Sequence, residues 1–149
     1  MLSLAEVSDR LELEDLVHAY AHAVDAGDWD ALDGLFTPDA TVDYTEMGGP
    51  RGDVASTKAF LAQVMPLMAS TQHLVATSRF AIDGDAATGR TICFNPMTVE
   101  VAGSPHTFFC GLWYRDRFVR TADGWRFAER YEERSYIHNT PPGFPGTEA

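Results

Sequence analysis

The sequence is short of basic residues, cysteine and long apolar runs, and each shortage removes a class of function. Lys and Arg number 11 against 22 Asp and Glu, a formal charge of −11, and no basic run offsets it locally. Such a surface repels phosphate backbones and anionic lipid, which excludes nucleic acid and membranes as partners. The two cysteines, Cys93 and Cys110, lack Cys-x-x-Cys spacing and sit in apolar strand-like runs, so both read as reduced packing residues. No apolar stretch approaches the ~20 residues of a membrane span. The first turn of the chain is acidic (Glu6, Asp9, Glu12) where a signal peptide is basic, so the expectation is a soluble cytoplasmic protein.

What remains is 149 residues, 45% hydrophobic and 11% aromatic, enough for one domain with a core and one internal pocket. Residues 1–140 read as that domain, and the Pro/Gly-rich segment 141–149 as a tail that continues no strand ladder. Ser3 and Glu6 form a capping-box pattern ahead of Leu13, Leu16, Val17, Tyr20 and Val24 at helical spacing, so the first helix runs to about Ala26. A short second helix is expected from Asp28 or Trp29 to Phe36, broken by Pro38-Asp39. A strand from Ala40 to Thr45 follows, then a Gly-rich loop and a third helix over Thr57–Met68, with Pro66 at its end. From Gln72 the pattern changes to β-branched and aromatic runs, about 72–82, 86–100, 106–120 and 125–138, separated by Asp-Gly, Gly-Ser-Pro and Asp-Gly turns. Three helices followed by a meander make the class α+β: a curved antiparallel sheet wrapped around the N-terminal helices, with the pocket between them.

His18, His22 and Asp25 fall at i, i+4, i+7, as two imidazoles and a carboxylate of a metal site would. His22 points away from the Leu13/Tyr20/Val24 stripe, so these histidines read as solvated and no metal is expected. Asp25 lies on the flank of that stripe. Paired with His73 it would fix one imidazole nitrogen and leave the other as a general base; spacing alone does not show that the two meet. Phe94, Met97, Phe108, Phe109, Leu112 and Trp113 are candidates to line the pocket, Trp125 and Phe127 to pack the core, and Glu129, Glu132, Glu133 and Arg134 to form a solvated strand or subunit rim.

Several local patterns together resemble the SnoaL-like branch of the nuclear transport factor 2-like superfamily. They are Leu16-x-x-x-Tyr20-x-x-x-x-Asp25-x-Gly27-x-Trp29, Phe36-x-x-Asp39-Ala40-x-Val42-x-Tyr44, His73 opening the long strands, and Asp123-Gly124-Trp125-Arg126-Phe127. The resemblance implies a cone-shaped α+β fold with one apolar pocket and no cofactor. Within the superfamily the motifs are most similar to scytalone dehydratase, bile acid 7α-dehydratase and lindane dehydrochlorinase, which share a pocket Asp–His pair. Carried over by position, it implies Asp25, His73 and Tyr20 as catalytic residues and Tyr44, Asn95 and Arg130 as substrate-binding ones, to which Phe108 is added from the strand aromatics. Asn95 stands where the bile acid enzyme has an aspartate, and an amide delivers no proton. The implied activity is loss of water from a hydrophobic cyclic or polyketide-like carbonyl compound, by a homodimer or homotrimer whose C-terminal segment, Tyr136 to Phe144, is either a lid that closes the pocket or a subunit clasp. Isomerisation or cyclisation by the same base, and a non-catalytic binding or accessory subunit, are the other readings of one fold.

Overall fold

A computed structural model describes residues 1–143. Helix α1, Leu4–Ala26, starts at Ser3, whose hydroxyl accepts from the Glu6 N–H while the Glu6 carboxylate accepts from the Ser3 N–H. It ends at Gly27, in the left-handed conformation with φ 67°, where a side chain would be strained. The chain then makes a five-residue 3₁₀ turn, Asp30–Gly34, and enters strand β1, Phe36–Asp43. After β2, Arg51–Gly52, comes α2, Val54–Val64, capped by the Asp53 carboxylate on the Ser56 N–H. The strands β3 (Ser70–Thr71), β4 (Leu74–Asp83), β5 (Ala86–Val101), β6 (Ser104–Thr121) and β7 (Gly124–His138) complete the chain.

The seven strands form one curved, open, mixed sheet in the order β2-β1-β7-β6-β5-β3, with β4 also on β5. Pairing is antiparallel throughout except between β1 and β7, which run parallel. The α+β architecture and the four long strands follow the sequence pattern, but the helices do not all form. The second expected helix is only the 3₁₀ turn, because Phe36 is drawn into the sheet opposite Phe127, where it is 5% exposed. Pro38 falls between Phe36 and Thr41, where β1 and β7 lose register, so its missing N–H costs no ladder bond. The third expected helix begins three residues early at the Asp53 cap and stops before Pro66, which sits in a 3₁₀ turn.

The sheet's concave face packs on Leu13, Leu16, Val17, Tyr20 and Val24 of α1. On β5 the odd-numbered side chains from Ala87 to Met97 point inward, on β6 the even-numbered ones from Phe108 to Phe118. This parity overturns three of the expected pocket residues. Phe94 and Phe109 stack on each other on the outer face, 5.7 Å between centroids, and Trp113 lies there under the Arg90 guanidinium at 3.9 Å. A shift in the β6–β7 register between Arg117 and Phe118 resets the inward set of β7, so that Trp125 and Phe127 are followed by Arg130 and Glu132. Among the described residues no helix is long and apolar enough to cross a membrane.

Candidate active site

The last turn of α1 and the loop between β3 and β4 meet through one carboxylate. Asp25 Oδ2 accepts the backbone N–H of His73 at 2.8 Å, and Oδ1 accepts from the His73 ring at Nδ1, 2.6 Å away. Two bonds to one residue fix both the loop and the plane of the imidazole. The pair is at the edge of the core rather than inside it: the Asp25 side chain keeps 26% of its exposure and His73 only 9%. Burial works to raise the Asp25 pKa, but the two His73 hydrogen bonds hold it below its ordinary value. Asp25 is therefore ionised at neutral pH.

The far side of the ring is also engaged. Asn95 Nδ2 lies 3.0 Å from His73 Nε2, and the Thr71 hydroxyl donates to Asn95 Oδ1 at 3.1 Å. Asn95 turns its amide N–H to Nε2, which accepts it, while Nδ1 donates to Asp25. The arrangement thus holds the basic nitrogen through one replaceable donor.

His73 and Asn95 line a cavity of about 440 Å³ between α1, α2 and the sheet. Phe60, Leu61, Met65 and Met68 from the α2 segment face Met97, Val99 and Leu112 from the sheet, so the walls are largely apolar. A few convergent polar groups in an apolar cavity are the usual form of a small-molecule site. A larger groove of about 580 Å³ lies on the outer face among Arg79, Arg90, Arg115 and Arg117, away from the histidine. Tyr20 and Tyr44 also line the cavity, their hydroxyls hydrogen-bonded to each other. Burial raises both phenol pKa values, so both remain O–H donors. Gly49 lets the turn after β1 close over this pair: a Cβ there would lie 2.7 Å from Tyr44 Cβ.

Of the seven residues named from sequence, five converge: Tyr20, Tyr44, His73 and Asn95 line the cavity and Asp25 backs His73. Asn95 is 6% exposed and touches His73 directly. Phe108 and Arg130 are not cavity residues. Phe108 is fully buried in the sheet, and Arg130 lies beneath Tyr20, its guanidinium 4.0 Å from that ring and 3.9 Å from the Tyr114 ring, paired with Asp116 at 2.9 and 2.8 Å. Burial works against the Arg130 charge, but Asp116 more than reverses this and keeps it a cation. His18 and His22 are exposed, and no group of metal-ligating side chains occurs among the described residues. Cys93 and Cys110 are free and buried, their thiols pushed up to about 12 by burial.

The sequence reading missed one polar wall of the cavity. Glu129 pairs with Arg117, and Glu133 with Arg90 and Arg115, as rim residues should. Glu132 instead turns inward and lines the cavity, with its pKa pushed up to about 8 by burial. The available signal was its spacing of two from Arg130, which puts both on one strand face. Pro141, Pro142 and Gly143 also line the cavity, so the chain segment read as a tail forms part of its wall; Phe144, the end of the expected closing segment, lies outside the described residues.

Comparison with known proteins agrees with this architecture. A SnoaL-like domain family matches residues 5–131. An uncharacterised protein of Mycobacterium tuberculosis is 45% identical over 136 residues, 91% of this chain and 92% of its own. A scytalone dehydratase of Aspergillus fumigatus is 30% identical over 79 residues, 49% of this chain and 47% of its own. The crystal structure of a Kribbella flavida protein superposes with a TM-score of 0.81 at 25% identity, covering 89% of this chain and 94% of that one. Matched along most of its length by the family and by a close relative, and built on the same curved sheet, the chain belongs to the SnoaL-like domain family.

Proposed function

We propose that the protein is a cofactor-independent lyase that removes water from a hydrophobic cyclic β-hydroxy carbonyl compound, with His73 as the base. The observation that carries this reading is the Thr71–Asn95–His73–Asp25 chain of hydrogen bonds ending in an apolar cavity. A binding module has no need of an imidazole held in one tautomer by a carboxylate; proton abstraction does. The family includes small-molecule-converting enzymes, and the partial likeness to a scytalone dehydratase supports elimination of water over other outcomes of the same base.

On this reading the substrate's C–H, next to its carbonyl, displaces the Asn95 amide from Nε2 and gives up its proton there. The resulting imidazolium is stabilised by ionised Asp25. The carbonyl oxygen, gaining charge as the enolate forms, accepts from the one hydroxyl of the Tyr20–Tyr44 pair whose proton the other does not take, and such a donor in a site closed to water is worth about 10²–10³ in rate. The substrate is of drug-like size at most, since the cavity is at the small end of the range for such ligands.

The test is turnover of β-hydroxytetralone, a bicyclic β-hydroxy ketone whose loss of water is read by mass and absorbance. His73→Ala is expected to lower kcat at least ~10²-fold with unchanged circular dichroism, and Asp25→Asn to cost comparably. Absence of turnover by the wild-type protein, or full activity in His73→Ala, overturns the reading.

A further inference from the structure

We propose that Glu132 is the general acid of this site, a neutral carboxylic acid that protonates the departing hydroxyl while His73 takes the proton from carbon. The proposal rests on the dehydratase reading and assigns the one step that reading leaves open. Hydroxide is a poor leaving group, so an elimination near neutral pH needs a proton donor at the oxygen that departs. Asn95 cannot supply it, being an amide already committed to His73. Tyr20 and Tyr44 hold their protons too tightly, since burial raises both.

Glu132 meets the requirement by position. It lines the same cavity as His73 and the two tyrosines. His73 and its partner Asn95 are on the β5 side of that cavity, Glu132 is on β7, and β6 runs between them. The base and the carboxylic acid thus stand on separate walls of one cavity, so a substrate between them can meet both. Among the described residues Glu132 has no hydrogen-bond or ion-pair partner. The cation nearest it in sequence on the same strand face, Arg130, is already bound through Nε and Nη2 to both oxygens of Asp116.

Burial favours the protonated form. Asp116 on β6 and Asp43 on β1 act to raise its pKa and Arg130 to lower it, while burial is the largest effect and sets the direction upward, to about 8. Tyr20 from α1, Tyr44, Tyr114, Cys93 and Cys110 surround it as neutral groups, their own pKa values raised by burial. A structural carboxylate in a core is expected to hold a partner; one left unpaired and facing an open cavity is arranged to give its proton to something that enters.

The step balances without any other reactant. His73 Nε2 takes the proton from the carbon next to the carbonyl, and that electron pair becomes the C=C bond. The C–O bond breaks, and its oxygen leaves with the proton of the Glu132 carboxyl as water. Imidazolium and carboxylate remain, and the proton returns from His73 to Glu132 through solvent once the product has gone.

Two substrates separate an acid from a wall. β-Hydroxytetralone needs its leaving oxygen protonated; β-acetoxytetralone, which expels acetate, does not. Glu132→Gln is expected to lower kcat on the first at least ~10²-fold and on the second less than tenfold, and to remove the fall in wild-type kcat/KM that sets in above pH ~8. Glu132→Ala should show the same asymmetry, with folding checked by circular dichroism. Carboxyl ¹³C NMR, with Glu132→Gln for assignment, is expected to place the Glu132 titration well above the ordinary ~4.3. Equal losses on both substrates, or an ordinary titration, overturn the acid role. Turnover that depends on His73 but not on Glu132 overturns it while sparing the dehydratase reading; no turnover of either substrate overturns that reading itself and the acid role with it.

Discussion

Arg130 and Asp116 are both fully buried, and the guanidinium is enclosed by the rings of Tyr20, Tyr114 and Phe127 at 3.9 to 4.3 Å. Its function is to carry the floor of the cavity: Tyr20 rests on it and presents its hydroxyl to Tyr44. Removing one partner of such a pair leaves an uncompensated buried charge, at a cost of about 3–5 kcal/mol. Arg130→Met is therefore expected to lower stability by that amount in urea denaturation, and Arg130→Met with Asp116→Leu to recover most of it. A loss under 1 kcal/mol in the single variant would contradict the structural role. The substrate-binding role read from sequence differs because family register identifies a position, not the direction in which its side chain is spent. Asp25, His73 and Tyr20 come from the same family register, and there the side chains do turn to one site, Asp25 to the His73 ring and Tyr20 to the cavity wall. Glu132 was not legible, since the four charges from Glu129 to Arg134, apart from Arg130, look alike until the strand's face is known.

At the scale of elements, the hairpins were legible because turn residues mark each one, and α1 because its cap, stripe and stop agree. The short second helix was not, because eight residues of helical spacing lose to the burial of Phe36 against Phe127. Strand faces could not be read either: register shifts interrupt β4 between Ala76 and Arg79 and β7 twice, and each resets which side chains point inward. The β4 irregularity contains Thr77 at φ 56°, a conformation that β-branched residues rarely adopt. It lies four residues beyond His73 in a stretch exposed to solvent, at the point where β4 and β5 lose register. A left-handed residue with a Cβ costs about 1–2 kcal/mol. Thr77→Gly removes that strain and adds chain entropy to the unfolded state, so the expected net gain is up to about 1 kcal/mol, or about 2–4 °C in Tm. A lower Tm would mean that the Thr side chain itself holds the bulge.

For the whole molecule, the charge of −11 and the inward-facing carboxyl of Glu132 act on stability in the same direction as pH rises. Six carboxylates, Glu6, Asp9, Asp25, Asp43, Glu46 and Asp53, are held below their ordinary values by hydrogen bonds and by cations such as Arg120 on Asp9. Groups lowered on folding stabilise above their unfolded pKa values and lose that contribution as pH falls through the folded ones, so these six set the acid limb, below about pH 4. Glu132 is the reverse case: raised on folding, it contributes fully below its unfolded value near 4.5 and loses that contribution as pH rises through about 8. Self-repulsion among the excess acidic groups grows over the same interval. Stability should therefore peak on the acidic side of neutrality, near pH ~5, and decline toward pH 8. Because the isoelectric point is about 4.6, the measurement belongs at low protein concentration. Thermal scans from pH 4 to 9 are expected to show this decline in the wild-type protein and a shallower one in Glu132→Gln, which keeps the repulsion but has no proton to lose. Identical slopes would assign the decline to net charge and to buried Asp116, whose pKa burial also raises, and leave Glu132 ionised, which the acid role does not survive.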